Sequence, residues 1–214
     1  MDLKRYGQIN VHSINPLLMV IDDFCTQDEI HDLHTLIASL NFEVAAIGTK
    51  AVNRVDTTYR SAEQAIHNNE SQTLFRPIRK RVTELFQYPI DACEPTALLR
   101  YEQGQEYKVH LDSGTNPDCE NYGRIFTAVL YLNDDFSGGE TVFPRIDVTV
   151  RPKAGSLVLW ANKRPNDSAA HPLSLHAGHP VKSGTKYIAS FWIHRPDEMQ
   201  ALRAAQENAA PSAP

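Results

Sequence analysis

The hydrophobic pattern divides the chain into an early part with helices and a longer part made of strands. Residues 17–21 form a short apolar run that is typical of a buried strand. Thr26 then starts a helix, because a threonine followed three residues later by Glu29 is a capping-box pattern. Apolar residues recur at helical spacing through Leu40, and a second helix is predicted from Ser71 through Phe86.

The region between these helices has a different character. From Phe42 to Glu70 the sequence is polar, has weak periodicity and contains Gly48 and the pair Asn68-Asn69. We interpret it as a long irregular segment, a kind of loop that is uncommon unless it is functional or disordered. A mobile loop of this kind can close over an extended chain. Pro77 is expected to kink the second helix or to delay its start.

From Thr96 onward, short strands alternate with turns rich in glycine, proline and asparagine. In the strand from Arg124 to Leu132 both alternating faces are largely apolar, so we expect both to be buried. This spacing of short strands predicts a mainly β fold with flanking helices, a double-stranded β-helix (jelly roll, cupin-like) with N-terminal helices packed on one sheet. Further strands are predicted at 146–150, 156–160, 172–177 and 187–194.

Length and composition agree with a single domain. The chain has 214 residues, of which 42% are hydrophobic, and this is enough for one substantial core. We predict one domain over residues 1–196, with a strand-helix support at 1–95 and a catalytic core at 96–196. Residues 197–214 are expected to form a short helix that includes Met199 and Leu202, followed by a frayed tail.

The charge pattern offers little attraction for nucleic acid. Lys and Arg number 21 and Asp and Glu number 26, which leaves a formal net charge of −5 at pH 7, and there are no basic runs. We therefore predict no nucleic-acid partner.

The cysteines and the apolar runs bear on the compartment. Cys25, Cys93 and Cys119 are an odd and widely spaced set, which favours neither a disulfide framework nor a zinc motif. The first ten residues lack a signal-peptide stretch, and no run approaches the roughly 18 apolar residues of a membrane span. The sequence predicts a cytoplasmic protein without a membrane partner. For the oligomeric state, a monomer and a homodimer both stay open.

A candidate metal centre begins at His110 and Asp112. Residues two apart in a strand share one face and lie about 6 to 7 Å apart, so this imidazole and this carboxylate can be directed at one point. A third ligand from His176 would complete the set. Two imidazoles and one carboxylate leave other coordination positions open, which suits a non-haem Fe(II) centre that also binds a co-substrate and O2.

The distal ligand has alternatives. His171 and His179 each precede a proline, which biases them toward extended or turn backbone rather than a central strand position. His194 ends a strand and is interpreted as structural. His176 has the better context, because it alternates with leucines expected on the opposite face, but His179 stays open on this argument.

The order of motifs around these residues resembles the prolyl 4-hydroxylase branch of the Fe(II)- and 2-oxoglutarate-dependent dioxygenases. The resemblance runs from about Pro16 to Pro196 and is densest near the candidate ligands. The matching segments are Arg-Tyr-Glu-x-Gly-Gln at 100–105, Tyr-Leu-x-Asp at 131–134, Gly-Gly-Glu-Thr-x-Phe-Pro at 138–144, Ser-Leu-His-Ala-Gly-x-Pro-Val at 174–181 and Trp-Ile-His at 192–194.

The resemblance implies roles for individual residues. It places His176 in the distal ligand position beside His110 and Asp112, and it pairs Lys186 with the distal carboxylate of 2-oxoglutarate. Three hydroxyls would share in holding that co-substrate, those of Tyr101, Thr127 and Tyr131. The pair Arg60-Ser61 resembles a short family segment whose arginine helps to bind the peptide. Tyr107 and Trp192 are further candidates for contact with the substrate, with core packing as the alternative for both.

The resemblance also implies the reaction. Fe(II), 2-oxoglutarate and O2, with L-ascorbate as reductant, would hydroxylate prolyl residues of a peptide or protein at carbon 4 and release succinate and CO2. Hydroxylation of a free amino acid or another small molecule is an alternative, since fold does not fix substrate. A non-catalytic cupin-like binding module and a zinc hydrolase are alternatives from other classes, although no residue beside the ligands is an obvious general base for hydrolysis.

Overall fold

The computed structural model describes residues 6–45, 47–49, 52–54, 56–65, 69–114, 123–164, 167 and 169–200. Two helices precede most of the strands, α1 at Gln27–Ser39 and α2 at Asn69–Glu84. The strands are β1 Ile9–Ile14, β2 Leu17–Ile21, β3 Phe42–Val44, β4 Ile47–Thr49, β5 Val52–Arg54, β6 Glu63–Ala65, β7 Ala97–Tyr101, β8 Tyr107–His110, β9 Arg124–Tyr131, β10 Ser137–Gly138, β11 Thr141–Phe143, β12 Val148–Val150, β13 Leu157–Ala161, β14 His176–Gly178, β15 Val181–Ser183 and β16 Lys186–His194.

Two antiparallel sheets form the body of the fold. The major sheet has eight strands in the order β1-β2-β13-β9-β16-β7-β6-β3, and the minor sheet has four in the order β12-β11-β14-β8. Neighbours in the major sheet are often distant in sequence, as are β9 and β16 at its centre. This arrangement confirms the predicted mainly β jelly roll.

The major sheet is buried on both faces. On one face, α1 and α2 pack against it through side chains such as Leu33 and Phe75, which meet Leu130 and Phe191 of the central strands. On the other face, the two sheets enclose a second core that includes Leu99, Tyr131, Phe143, Val158 and Trp160. The prediction of helices packed on one sheet is therefore confirmed, because burial on both sides requires a cover for the outer face.

Alternation along the central strands decides which side chains reach the space between the sheets. In β16, Ala189, Phe191 and Ile193 belong to the helix-facing core. The intervening residues, from Lys186 through Ile188 and Ser190 to Trp192, border one cavity between the sheets. The period of two along a strand produces this separation.

The start of α1 follows the sequence prediction. Thr26 accepts a hydrogen bond from the Glu29 backbone N–H, and the Glu29 side chain accepts one from the Thr26 backbone N–H, which completes a capping box. Helix α2 begins at Asn69 and ends at Glu84, and it contains Pro77 rather than starting after it.

The prediction of a long irregular segment between Phe42 and Glu70 was wrong. This region contains the four short strands β3 to β6 and the start of α2. Strand β6 pairs with β7, so it extends the major sheet. Runs of three residues are too short to show a period of two in the sequence. Strands β3 and β6 depend on pairing with each other and, through β6, with the distant β7, whereas β4 and β5 pair with each other in a short hairpin.

Two strand boundaries also differ from expectation. The strand predicted at 172–177 is a 3₁₀ turn at Pro172–Ser174 followed by β14, because proline has no N–H for the sheet and His171 caps the turn by accepting a hydrogen bond from Leu173 N–H. The strand predicted from Ile146 begins only at Val148, after Asp147 with its positive φ of 53°.

The remaining expectations concern the cysteines, the C-terminal segment and membrane spans. Cys25 and Cys93 are buried thiols, and neither forms a disulfide within the described residues. Cys119 and residues 201–214, including the predicted tail and Leu202, lie outside the described residues. A helix begins after Arg195, and its Met199 is 4% exposed, so it packs on the barrel. Within the described ranges, every helix is too short or too polar to cross a membrane.

Candidate active site

Three buried side chains from two short strands and a bend form a cluster. His110 is the last residue of β8, Asp112 lies in the bend that follows, and His176 opens β14 directly opposite His110 in the minor sheet. One ligand atom from each of the three lies within 4.8 Å of the others. His110 and Asp112 thus converge although the strand ends before Asp112, and His176 rather than His179 joins them.

The backbone fixes the tautomer of both histidines. His110 Nδ1 lies 2.6 Å from the carbonyl oxygen of Lys108, and His176 Nδ1 lies 2.9 Å from that of Ser174. Since a carbonyl only accepts hydrogen bonds, each Nδ1 carries the proton. Each Nε2 therefore presents a lone pair toward Asp112, at 3.5 Å from Oδ1 for His110 and 3.6 Å from Oδ2 for His176.

The protonation states suit a metal ion. Burial and, to a smaller extent, the neighbouring His110 lower the pKa of His176 to about 4, and Asp112 only partly opposes them, so the imidazole is neutral at pH 7. Burial raises the pKa of Asp112, but the charges of its neighbours, His176 first and then His110 and Arg124, outweigh this and hold it well below its usual range. Two neutral imidazoles and one carboxylate are the donor set that non-haem Fe(II) takes, so the residues present fit this ion.

The other candidate histidines have separate contacts. His171 Nε2 lies 2.8 Å from Asn15 Oδ1, which ties the turn after β13 to the turn between β1 and β2. His179 is 3.8 Å from a Glu140 carboxylate oxygen and its side chain is 52% exposed. Neither is near the cluster formed by His110, Asp112 and His176.

Lys186 lies deeper in the same cavity. It is 3% exposed, its Nζ donates a hydrogen bond to the Gly139 carbonyl oxygen at 2.7 Å, and the rings of Tyr101 and Tyr131 lie 5.2 and 5.7 Å away. In the described part of the chain, no carboxylate lies within ion-pair distance of this ammonium. A buried cation without an anionic partner is unfavourable, so the position fits an anionic ligand.

The pKa of Lys186 has a consequence for co-substrate binding. Burial lowers the pKa from 10.5 to about 8, and the charge of Glu140 only partly opposes this. Tyr101 and Tyr131 stay neutral because burial raises the pKa of both phenols. A carboxylate ligand needs the protonated ammonium, which is lost as pH rises through about 8.

We therefore expect the KM for 2-oxoglutarate to be constant below pH 7 and to rise toward tenfold per pH unit above about pH 8. Initial rates at pH 6.5 to 9.5 would measure this dependence. Lys186→Arg is the matched control, since its guanidinium stays charged over the range and its profile should be flat. If the KM for 2-oxoglutarate rose with pH in the same way in both proteins, the rise would not come from Lys186.

The hydroxyls expected to bind a co-substrate have particular partners. Tyr101 lines the cavity, and its hydroxyl is hydrogen-bonded to Arg60. Tyr131 lies behind the lining, where its hydroxyl donates to Thr141 Oγ1 at 2.7 Å. Thr127 lines the cavity, but its hydroxyl donates to Asp112 Oδ2 at 2.7 Å. Its single proton is therefore directed at the cluster and not at a co-substrate carboxylate.

The predicted substrate residues lie at the outer side of the cluster. Arg60 pairs with Tyr107 through an isolated β-bridge, and its guanidinium lies 4.9 Å from the Tyr107 ring. Tyr107 in turn stacks on His110 with ring centroids 3.5 Å apart. Trp192 lines the same cavity, and its indole N–H has no hydrogen-bond partner among the described residues.

A buried ionic network that the sequence reasoning missed supports Trp192. The Arg124 guanidinium lies 4.0 Å from the Trp192 ring and donates to both oxygens of Glu94, at 2.6 and 2.8 Å. His194 Nε2 lies 2.6 Å from Glu94 Oε1. Burial raises the pKa of Glu94, but Arg124 and His194 outweigh this and lower it to about 2. The network fixes the indole at the edge of the cavity.

Two kinds of comparison with known proteins agree with this site. Residues 96–194 match the family model described as the 2OG-Fe(II) oxygenase superfamily. Prolyl 4-hydroxylase 1 of Arabidopsis thaliana is 30% identical over an aligned length of 215 residues. The alignment covers 91% of this chain and 75% of the plant protein. A putative prolyl 4-hydroxylase of Acanthamoeba polyphaga mimivirus is 32% identical over 152 residues, and this chain spans 62% of its length.

A solved structure extends the likeness to the fold. The viral collagen prolyl hydroxylase of Paramecium bursaria Chlorella virus-1, in its 2OG complex, superposes with a TM-score of 0.64 at 26% identity. The match covers 83% of this chain and 94% of the viral protein.

Proposed function

This chain belongs to the 2OG-Fe(II) oxygenase superfamily, and we propose that it hydroxylates prolyl residues of a peptide or protein at carbon 4. One oxygen atom of O2 would enter the proline C–H bond and the other would enter succinate, as 2-oxoglutarate loses CO2. L-ascorbate is proposed as the reductant that keeps the iron ferrous. The observation that carries this proposal is a single cavity lined by the His110, Asp112 and His176 cluster and by Lys186.

In this proposal, each residue of the cluster has a defined task. His110 and His176 would bind Fe(II) through Nε2, because their Nδ1 protons are held by backbone carbonyls. Asp112 would supply the carboxylate and neutralise part of the ion's charge. When bound, Fe(II) supplies the redox chemistry that couples decarboxylation of 2-oxoglutarate to hydroxylation.

Lys186 would hold the distal carboxylate of 2-oxoglutarate. It is the buried ammonium in the cavity, and the faces of Tyr101 and Tyr131 shield it from water. Excluding water strengthens a charge-assisted hydrogen bond between ammonium and carboxylate. Thr127 would act on the co-substrate only through Asp112, since its hydroxyl proton is directed there.

Arg60, Tyr107 and Trp192 would contact the peptide. All three border the cavity of the cluster, where two aromatic rings and a guanidinium can pack against a prolyl segment. The relatives named prolyl 4-hydroxylases support a prolyl substrate.

We propose the division into a support at 1–95 and a core at 96–196, and a cytoplasmic location, on the sequence argument alone.

Succinate formation tests the proposal. Wild-type protein with Fe(II), ascorbate, O2 and 2-oxoglutarate should form succinate faster with proline-rich peptides than without, and mass spectrometry should find one added oxygen on proline. His176→Ala is the control and should give only background. Replacement of Fe(II) by Zn(II) should abolish turnover.

Other outcomes would redirect the assignment. Stimulation by free L-proline but by no peptide would move the substrate to small molecules. Tight binding of Fe(II) and 2-oxoglutarate without succinate under any condition would favour a binding module. Hydrolytic activity supported by Zn(II) would contradict the oxygenase chemistry.

A further inference from the structure

Asn162 lies behind the cluster formed by His110, Asp112 and His176. It belongs to none of the sequence motifs that identified the site. It follows β13 directly and is completely buried. Its backbone N–H donates to the Ile125 carbonyl oxygen at 2.8 Å, and its own carbonyl accepts from the His171 N–H at 2.7 Å. Both backbone groups are therefore fixed, which determines where the side chain can reach.

The side chain of Asn162 controls the direction of one proton. Its Nδ2 donates to Thr127 Oγ1 at 2.8 Å, and Thr127 Oγ1 donates to Asp112 Oδ2 at 2.7 Å. A hydroxyl has one proton, so a residue that only donates to Thr127 leaves that proton for Asp112. The reverse amide orientation would set Asn162 Oδ1 and Asp112 in competition for the same proton.

An amide is a poor choice here for packing alone. Asn162 Oδ1 is buried and has no hydrogen-bond partner among the described residues. A buried acceptor without a partner is unfavourable, and an apolar side chain of similar volume would avoid this. The contact that accounts for an amide at this position is therefore the hydrogen bond that Asn162 Nδ2 donates to Thr127 Oγ1.

The effect on Asp112 is to make its two oxygens unequal. Each oxygen lies near one imidazole, Oδ1 at 3.5 Å from His110 Nε2 and Oδ2 at 3.6 Å from His176 Nε2. Among the described residues, only Oδ2 also accepts a hydroxyl proton, that of Thr127. Fe(II) held by His110, His176 and one oxygen of Asp112 would keep open positions for the co-substrate and O2. A carboxylate that bound through both oxygens would occupy one of these.

We propose that Asn162 is a positioning residue which, through Thr127, keeps Asp112 a ligand by Oδ1 alone. This inference deepens the proposed function and rests on its metal site. Loss of the amide donor lets the Thr127 hydroxyl rotate away, so that Oδ2 becomes free to bind the metal as well. The expected result is a changed metal site that binds 2-oxoglutarate more weakly.

The test uses Co(II), whose visible absorption reports coordination, on the purified protein without turnover. Asn162→Leu and Thr127→Val should each change the Co(II) spectrum and weaken 2-oxoglutarate binding to the Co(II)-loaded protein by about tenfold or more, measured by calorimetry. The double variant should be no worse than either single variant, because Asn162 acts through Thr127. Thr127→Ser should recover most of the affinity that Thr127→Val loses.

The control is Thr83→Val, a buried hydroxyl on α2 whose bond goes to the Lys80 carbonyl oxygen. It should leave the Co(II) spectrum and 2-oxoglutarate affinity unchanged. A lowered Tm for Asn162→Leu with an unchanged spectrum and affinity would overturn the inference and leave Asn162 a structural residue. Additive losses in the double variant would also overturn it. Failure of the wild-type protein to bind Co(II) would instead contradict the proposed function.

Discussion

Asp112→Ala is expected to abolish iron binding and turnover. The carboxylate is the only anionic ligand in the cluster, and both imidazole Nε2 atoms point to it, so its removal leaves two neutral donors. Substitutions behind metal ligands already lower affinity or activity about 10- to 100-fold, so loss of a ligand should exceed a hundredfold. Iron content after dialysis and succinate formation from 2-oxoglutarate measure the two effects.

The control for this variant is Asp32→Ala, which removes an exposed carboxylate from the outer side of α1. It should bind iron and form succinate as the wild-type protein does. An Asp112→Ala protein that folds, retains stoichiometric iron and keeps full activity would remove Asp112 from the ligand set.

Lys186→Met should weaken 2-oxoglutarate binding and stabilise the unliganded protein at the same time. Truncating one partner of a buried charge pair costs about 2–5 kcal/mol, which predicts a KM for 2-oxoglutarate raised by roughly 30-fold to a few thousand-fold. Before the co-substrate binds, the ammonium is buried, and among the described residues its one hydrogen-bond acceptor is the Gly139 carbonyl oxygen. An apolar side chain of similar volume avoids the loss of hydration.

Thermal unfolding without 2-oxoglutarate measures the second effect, with a rise in Tm of about 2–4 °C for each kcal/mol gained. Lys182→Met, an exposed lysine on the neighbouring strand β15, is the control and should change neither KM nor Tm appreciably. A Lys186→Met protein with unchanged KM would show that the distal carboxylate binds elsewhere. A lower Tm would show that the ammonium is already well compensated in the unliganded state.

The parts of the fold that the sequence predicted are those with local causes. The capping box of α1 needs only Thr26 and Glu29, and the two faces of β9 follow from strict alternation along eight residues. Lys186, Ile188, Ser190 and Trp192 border one cavity because alternate residues of a strand share one face. Such patterns are visible without knowledge of tertiary structure.

The parts that the sequence did not predict depend on distant partners. Strands β3 to β6 have three residues each, and β3 and β6 join the major sheet only through pairing at its edge. Proline at 172 broke an otherwise strand-like run. In each case the local preference was weak, and tertiary contacts decided the outcome.

The same reason explains the functional residues that were missed. The contacts that hold Asp112 and Trp192 join residues far apart in sequence. Thr127 and Asn162 are separated by 35 positions, and Glu94 and His194 by 100. The motifs therefore located the residues expected to contact iron and co-substrate, but not those that orient them.

The two sheets contribute different halves of the site. His110 and His176 belong to the minor sheet, with Asp112 just beyond β8, whereas Lys186 belongs to the major sheet. A co-substrate anchored at one end by the metal and at the other by the ammonium must reach from one sheet to the other. The core between the sheets, filled by Leu99, Val158 and Ile188, then sets the distance between the metal site and the ammonium. We expect keto acids one carbon shorter or longer than 2-oxoglutarate to fail to satisfy both ends, so that the packing of these apolar side chains sets selectivity for chain length.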